Sequence, residues 1–181
     1  MEEKVHIVAL LGSFRTGSFN KIILDSAIEM CPESATIEKA EIVNLPLYNG
    51  DFEGNMPQEV KDFKEKIKSA NAILIVSPEY NYSIPGVLKN TIDWLSRSKV
   101  LNHKIIAIMG ASPGMLGTLR AQLHLREILL FMRVRIFNEK EFYFSRADAR
   151  IDENGDLKDE NDKKFLKDFV DGLVEFIKTN R

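Results

Sequence analysis

Apolar residues gather in short runs along the whole chain, and stretches of three- and four-residue periodicity separate those runs. The runs at 4–11, 36–44, 72–77, 104–109 and 134–144 are predicted strands. The first, third and fourth are dominated by aliphatic and β-branched residues, the pattern of strands buried on both faces. Helical patterns occupy 18–31, 57–69, 86–97, 117–132 and 161–179. In the last of these Phe165, Phe169, Leu173, Phe176 and Ile177 recur at helical spacing while lysines and aspartates fill the other face. That stripe predicts a helix docked on a core. No repeat, low-complexity tract or linker interrupts the alternation, so residues 1–181 are expected to form one domain.

Five strands alternating with five helices predict an α/β fold with helices on both faces of a parallel sheet. The expected architecture is a flavodoxin-like three-layer sandwich with strand order 2-1-3-4-5. Its switch point lies between the first and third strands, where loops from the C-terminal ends of strands one, three and four share a crevice. Those loops fall at 12–18, 78–86 and 110–117, the junctions richest in glycine, proline and serine.

Composition narrows the class. The chain is 44% hydrophobic and 29% charged with a formal net charge of −2, so no electrostatic excess points to nucleic acid or an anionic membrane as partner. One cysteine, Cys31, excludes a disulfide within the chain, and three scattered histidines (His6, His103, His124) make a poor metal site. Met1 to Lys4 lead directly into a strand without a basic and apolar leader, and no apolar run reaches the roughly 20 residues of a membrane span. A cytoplasmic protein is expected.

The first loop, Gly12 to Ser18, reads G-x-x-x-x-G-S. A nucleotide-hydrolase loop would carry lysine where Ser18 stands, so a triphosphate clamp is missing. What remains suits one terminal phosphate monoester: the Ser13 and Ser18 hydroxyls, the Arg15 guanidinium, the Asn20 amide and the N-terminus of a helix. A plain strand-to-helix turn capped by Ser18 is the alternative. The second loop lies in Ser77-Pro-Glu-Tyr-Asn-Tyr-Ser-Ile-Pro-Gly86, where two prolines stiffen a segment bearing Glu79, Tyr80, Asn81 and Tyr82. Such a segment can form a flat slot for a planar heterocycle. Trp94, on the helix that follows, is expected to pack in the core.

The third loop, Gly110-Ala-Ser-Pro-Gly114, matches the G-x-S-x-G elbow of serine hydrolases. The elbow needs a backbone N–H after its nucleophile, and Pro113 has none. The order of serine, acid and histidine also fails, because His124 is the sole histidine after Ser112.

The stretches "GSFRTGSFNK" (12–21) and "SPEYNYSIPGVLKNTIDWLSR" (77–97) resemble the NADPH-dependent FMN reductase family, near its bacterial quinone and chromate reductase members. The resemblance is strong from Val5 to about Leu130. It implies that Ser13, Arg15, Ser18, Phe19 and Asn20 hold the FMN phosphate and ribityl chain. Pro78, Glu79, Tyr80 and Asn81 would line the isoalloxazine ring, mostly through the backbone, and Ser112, Gly114 and Gly117 would close over its other edge. It further implies NADPH or NADH as co-substrate and a quinone, azo compound, free flavin or metal oxyanion as small-molecule acceptor. Turnover would be ping-pong, on a dimer or tetramer, with the flavin rather than a catalytic side chain performing the chemistry. Thr118 stands where family members often carry the second glycine of G-G-x-R-A, and would either narrow the approach to the ring or cap a helix. The segment Leu45–Asp51 resembles one that reaches a neighbouring subunit's flavin pocket; a surface loop kinked by Pro46 is the alternative. A flavodoxin-type electron carrier is the non-enzymatic alternative, but such carriers usually have a T-x-T-G-x-T loop and a strongly acidic surface.

Arg120, Arg126 and Glu141 are either intersubunit ion pairs or solvated surface charges. The stretch 150–161 puts Arg150 at the first ligand position and Asn161 where a bidentate glutamate belongs, so it lacks the frame of a calcium loop, and Asn154-Gly155 reads as a turn.

Overall fold

A computed structural model describes residues 4–180. Four full strands and two short ones form one parallel sheet: β1 (Val5–Leu11), β2 (Ala35–Ala40), β3 (Ala72–Val76), β4 (Ile105–Ala111), β5 (Arg135–Ile136) and β6 (Phe142–Phe144). Their order is β2-β1-β3-β4-β5, with β6 also paired to β4. The expected order is therefore observed, with helices on both faces.

The helices are α1 (Phe19–Glu29), α2 (Gln58–Ser69), α3 (Gly86–Ser96), α4 (Leu119–Leu130), the single turn α5 (Ala147–Arg150) and α6 (Glu160–Thr179). Side chains alternate across a strand, so each strand feeds both layers. Val5, Ile7 and Ala9 of β1, Ala72, Leu74 and Val76 of β3, and Ala107 and Met109 of β4 face α1 and α6. Val8, Leu10, Ile73, Ile75, Ile106 and Ile108 face α2, α3 and α4. Sheet positions on both sides are apolar, which is why these strands read as unbroken hydrophobic runs. On α6 the stripe of Leu166, Phe169, Val170, Leu173, Val174 and Ile177 is buried, with Phe165 stacked on Phe142 at its margin.

Two strand limits differ from expectation. β2 ends at Ala40, although Ile42 beyond it is buried in the core. The run at 134–144 yields two pieces: β5 pairs with Ile105 and Ile106 at one end of β4, and β6 with Met109 to Ala111 at the other. Residues 137–141 pass between them as an excursion, with Phe137 still buried.

Candidate functional site

Loops 12–18, 77–85 and 112–118 leave the C-terminal ends of β1, β3 and β4 and are bound to one another. Gly12 N donates to Val76 O at 2.8 Å and Ser77 N to Met109 O at 3.0 Å, extending the ladder by one residue on each strand. Beyond the ladder, Ser13 Oγ lies 3.5 Å from the Tyr80 hydroxyl.

The first loop ends at α1. Ser18 is the N-cap: its backbone is extended and its Oγ accepts from Lys21 N at 3.3 Å. That leaves the Phe19 and Asn20 amides without an intrahelical acceptor, and the first turn carries no acid. Arg15 is exposed and doubles back, donating to Gly17 O at 3.1 Å with its guanidinium 5.7 Å from the centre of the Phe19 ring. A cation, two buried hydroxyls and a free helix N-terminus therefore occupy one turn of chain, a donor set suited to a phosphate.

Asn20 is placed differently from its neighbours. It is buried, its Nδ2 donates to Ala111 O and its Oδ1 accepts from Ala111 N, both at 2.9 Å. The amide thus ties the start of α1 to the last residue of β4.

The second loop is a two-residue hairpin. Tyr80 and Ser83 exchange backbone hydrogen bonds of 2.9 and 3.0 Å, while Asn81 and Tyr82 both have positive φ, 51° and 64°. Two left-handed central residues define a type I′ turn, in which asparagine suits the first place and glycine usually fills the second. Here the second is Tyr82, which projects into solvent with Arg120 stacked 3.8 Å from its ring centre. Pro78 is buried at the root of the hairpin, and Tyr80 and Asn81 are exposed at its rim. The Glu79 carboxylate turns away from that rim toward α4, where it accepts from Arg120 and Ala121.

In the third loop Ser112 is held by its backbone: its N donates to Phe144 O at 3.0 Å, and its O accepts from Ala147 N at 3.1 Å. Its hydroxyl lies 3.5 Å from Gly114 O, while His124 Nδ1 is engaged by Ser83 Oγ at 2.7 Å. The serine-hydrolase alternative thus gains no support from its own residues. Gly114 is exposed at the loop's tip. Gly117, at φ 53°, lies so close to β6 that a Cβ would come within 2.6 Å of the Tyr143 carbonyl carbon. Its role is close approach, which only glycine permits.

Thr118 sits at the N-cap position of α4, and its side chain is turned inward. It is buried, left-handed at φ 71° and makes no capping bond. Its hydroxyl accepts from Gln122 Nε2 at 3.1 Å and fills the space above Gly110, where a Cβ would meet Thr118 Oγ1 at 2.1 Å. The second glycine of the family pattern is replaced by a side chain that packs inward, and Gly110 makes room for it.

Both arginines considered for intersubunit pairing have a carboxylate partner within the chain. Arg120 Nη2 pairs with Glu79 Oε1 at 2.6 Å, and Arg126 Nη2 lies 3.7 Å from Glu141 with a further bond to Asn138. Tyr82, Ser83, Arg120 and His124 are the rim residues that sequence reasoning did not assign to the site. The R-x-x-x-H spacing from Arg120 to His124 was the available signal, since it puts both on one helix face. Away from the loops, Pro46 O accepts from Trp94 Nε1 at 2.7 Å and from Asn90, which holds the neighbouring Leu47 outward at 82% exposure. Trp94 itself is fully buried, as expected.

Residues 5–149 match the model of a family described as NADPH-dependent FMN reductase. The chain is 39% identical over 184 residues to an NAD(P)H-dependent FMN reductase of Pseudomonas aeruginosa, covering all of both chains. It is 37% identical to a 2-hydroxy-1,4-benzoquinone reductase of a Burkholderia species, covering 97% of each. Among solved structures it superposes with TM-score 0.89 and 31% identity on FerB, a flavoenzyme NAD(P)H:(acceptor) oxidoreductase from Paracoccus denitrificans, covering 97% of this chain and 98% of that one.

Proposed function

The chain belongs to the NADPH-dependent FMN reductase family, a family of oxidoreductases, and on that premise we propose that it binds FMN in the crevice above β1, β3 and β4 and reduces quinones with NAD(P)H. The observation that carries this reading is the free, acid-less N-terminus of α1 beside Ser13, Arg15 and Ser18, with Ser13 Oγ 3.5 Å from the Tyr80 hydroxyl of the hairpin. FMN, when bound, supplies hydride acceptance from the nicotinamide and hydride donation to the acceptor.

The chain's own residues divide the remaining work. Arg15, Ser13, Ser18 and the amides of Phe19 and Asn20 would hold the phosphate, with the Phe19 ring beside the ribityl chain. Asn20 contributes mainly by fixing α1 to β4. Pro78 to Asn81 would present backbone groups to the ring, and Tyr80 would cover one side. Ser112, Gly114 and Gly117 would border the opposite edge. Preorganised N–H groups at such an edge stabilise the charge that develops on reduction without moving at the moment of transfer.

One exposed face for both nicotinamide and acceptor implies ping-pong turnover. Quinones lead among acceptors because relatives that match nearly the full length carry that activity in their names; azo compounds, free flavin and metal oxyanions are further candidates. Homo-oligomerisation is proposed through the outward face of α4. There Leu123 and Leu130 are exposed, with Leu116 and Phe131 at the two ends of the helix.

The test is the visible spectrum of the purified protein after FMN loading and desalting, followed by anaerobic NADPH or NADH. Retained flavin absorbance that bleaches with nucleotide and recovers with benzoquinone is the expected result. Flavin that is retained but does not bleach would point to an electron carrier. Protein that emerges colourless would overturn the phosphate-site assignment.

A further inference from the structure

Helix α4 begins without a cap of its own. Thr118, in the capping position, is left-handed and makes no side-chain bond to the first turn. The first-turn amides of a helix nevertheless need acceptors. They find one on a different loop: Glu79 Oε2 accepts from Arg120 N at 3.0 Å and from Ala121 N at 3.2 Å. The other oxygen, Oε1, accepts from Arg120 Nε at 2.6 Å and lies 2.6 Å from Nη2. Only 10% of the Glu79 side chain remains exposed.

The rest of the hairpin follows the same helix face. The Tyr82 ring lies under the Arg120 guanidinium, and Ser83 Oγ meets His124 Nδ1 at 2.7 Å. Residues 79, 82 and 83 thus dock on 120, 121 and 124. A type I′ turn with tyrosine in a left-handed place is strained in isolation and persists only with outside support.

We propose that Glu79 is a positioning residue for the flavin site: its carboxylate caps α4 and pairs with Arg120, thereby fixing the backbone of residues 79–81 that the ring would meet. This rests on the flavin reading above. Two consequences follow from the geometry. The positive end of α4 is spent on an internal carboxylate, so the phosphate is left with the N-terminus of α1. The Glu79 charge is also paired with Arg120 and the helix end, so it would oppose reduction of a neighbouring ring less than a free carboxylate would.

The variants Glu79→Ala and Glu79→Gln of the full chain test this. Glutamine still offers an oxygen to both amides but no charge to Arg120. Without any FMN, hydrogen exchange at the Arg120 and Ala121 amides should quicken about tenfold or more in Glu79→Ala and stay near wild type in Glu79→Gln. With FMN loaded, Glu79→Ala should bind the cofactor about tenfold more weakly, as expected for lost charge-assisted bonds. It should also shift the flavin midpoint potential and raise the quinone KM more than it lowers kcat, with Glu79→Gln restoring most of each. Unchanged amide exchange in Glu79→Ala would overturn the proposal. Faster exchange with unaltered FMN affinity and potential would overturn it too, as would a glutamine variant no better than alanine. Wild-type protein that retains no FMN would overturn the flavin reading and the positioning role with it. The exchange measurement would still report the clamp, so the two failures are told apart.

Discussion

Arg15 and Asn20 lie on the same turn of chain but are placed for opposite work. Arg15 is exposed and engages its own loop and the adjoining Phe19 ring, whereas Asn20 is buried and commits its amide to Ala111. Replacing them should therefore separate binding from folding. Arg15→Ala is expected to cost roughly 1.5–3 kcal/mol of FMN affinity, the range of a charged hydrogen bond, while the melting temperature of the FMN-free protein stays put. Asn20→Ala should lower that melting temperature by an amount matching about 1–3 kcal/mol, because it leaves the Ala111 N–H and C=O unpartnered in the interior. Fluorescence titration of FMN and thermal melts of both variants check the pair; an FMN-free Arg15→Ala protein that melts early would contradict it. Both residues could be named from the polar pattern behind the first strand. Their division of labour could not, because the partner of Asn20 lies 91 residues further on. Glu79 was also named from the sequence, but the engagement of its carboxylate was hidden for the same reason: it depends on two amides about forty positions away.

Among the elements, the limits of the expected helices were legible to within a residue or two because the apolar period marks them, and at two helices a capping residue coincides with it. Ser18 before α1 and Asp159 before α6 both accept first-turn amides. The last strand was harder. Apolar residues at both ends of 134–144 invite one strand, yet Asn138-Glu139-Lys140-Glu141 in the middle cannot be buried on both faces, and the chain leaves the sheet there. Helix α2 carries a different mismatch. Its buried stripe is Val60, Phe63, Lys64 and Ile67, so a lysine occupies a core position. The Lys64 ammonium is buried with no hydrogen-bond partner among the described residues, 6.0 Å from the centre of the Trp94 ring. Burial holds its pKa below the ordinary 10.5, with Glu53 opposing. The folded state therefore sheds this proton more readily than the unfolded chain. The penalty is complete below the folded pKa and is relieved as pH rises toward 10.5. Lys64→Met keeps the stem and removes the charge, so it should stabilise the protein at neutral pH by about 1 kcal/mol. Its advantage over wild type should shrink as the pH is raised. Urea unfolding at pH 7 and at higher pH measures both, and a destabilised methionine variant would show that the ammonium has a partner in solution.

For the whole molecule, the alternation of strands and helices was enough to place the crevice, because a parallel sheet in the order 2-1-3-4-5 puts the loops after strands one, three and four together. Assembly is a different matter. Helices bury apolar residues whether they face a core or another subunit, and periodicity alone does not separate the two. The structure does separate them on α4: Ala121, Leu125 and Leu129 are buried against the sheet, while Leu123 and Leu130 are 54% and 76% exposed on the opposite side. Leu116 and Phe131 extend that surface beyond both ends of the helix. Exposed apolar patches of this kind mark contacts between molecules. With Arg120, Arg126 and Glu79 already paired inside the chain, the apolar residues would be the main source of energy for the proposed association. Leu123→Glu places a carboxylate at the centre of the patch, four residues before Glu127, and desolvating it on association would cost several kcal/mol. Sedimentation equilibrium should then find wild type at a multiple of 20.7 kDa and the variant at or near that mass, with the circular dichroism of the fold retained. A wild-type monomer, or a variant that keeps its full oligomeric mass, would remove α4 from the interface and leave Leu47, held outward by the Pro46 anchor on Trp94, as the next surface to test.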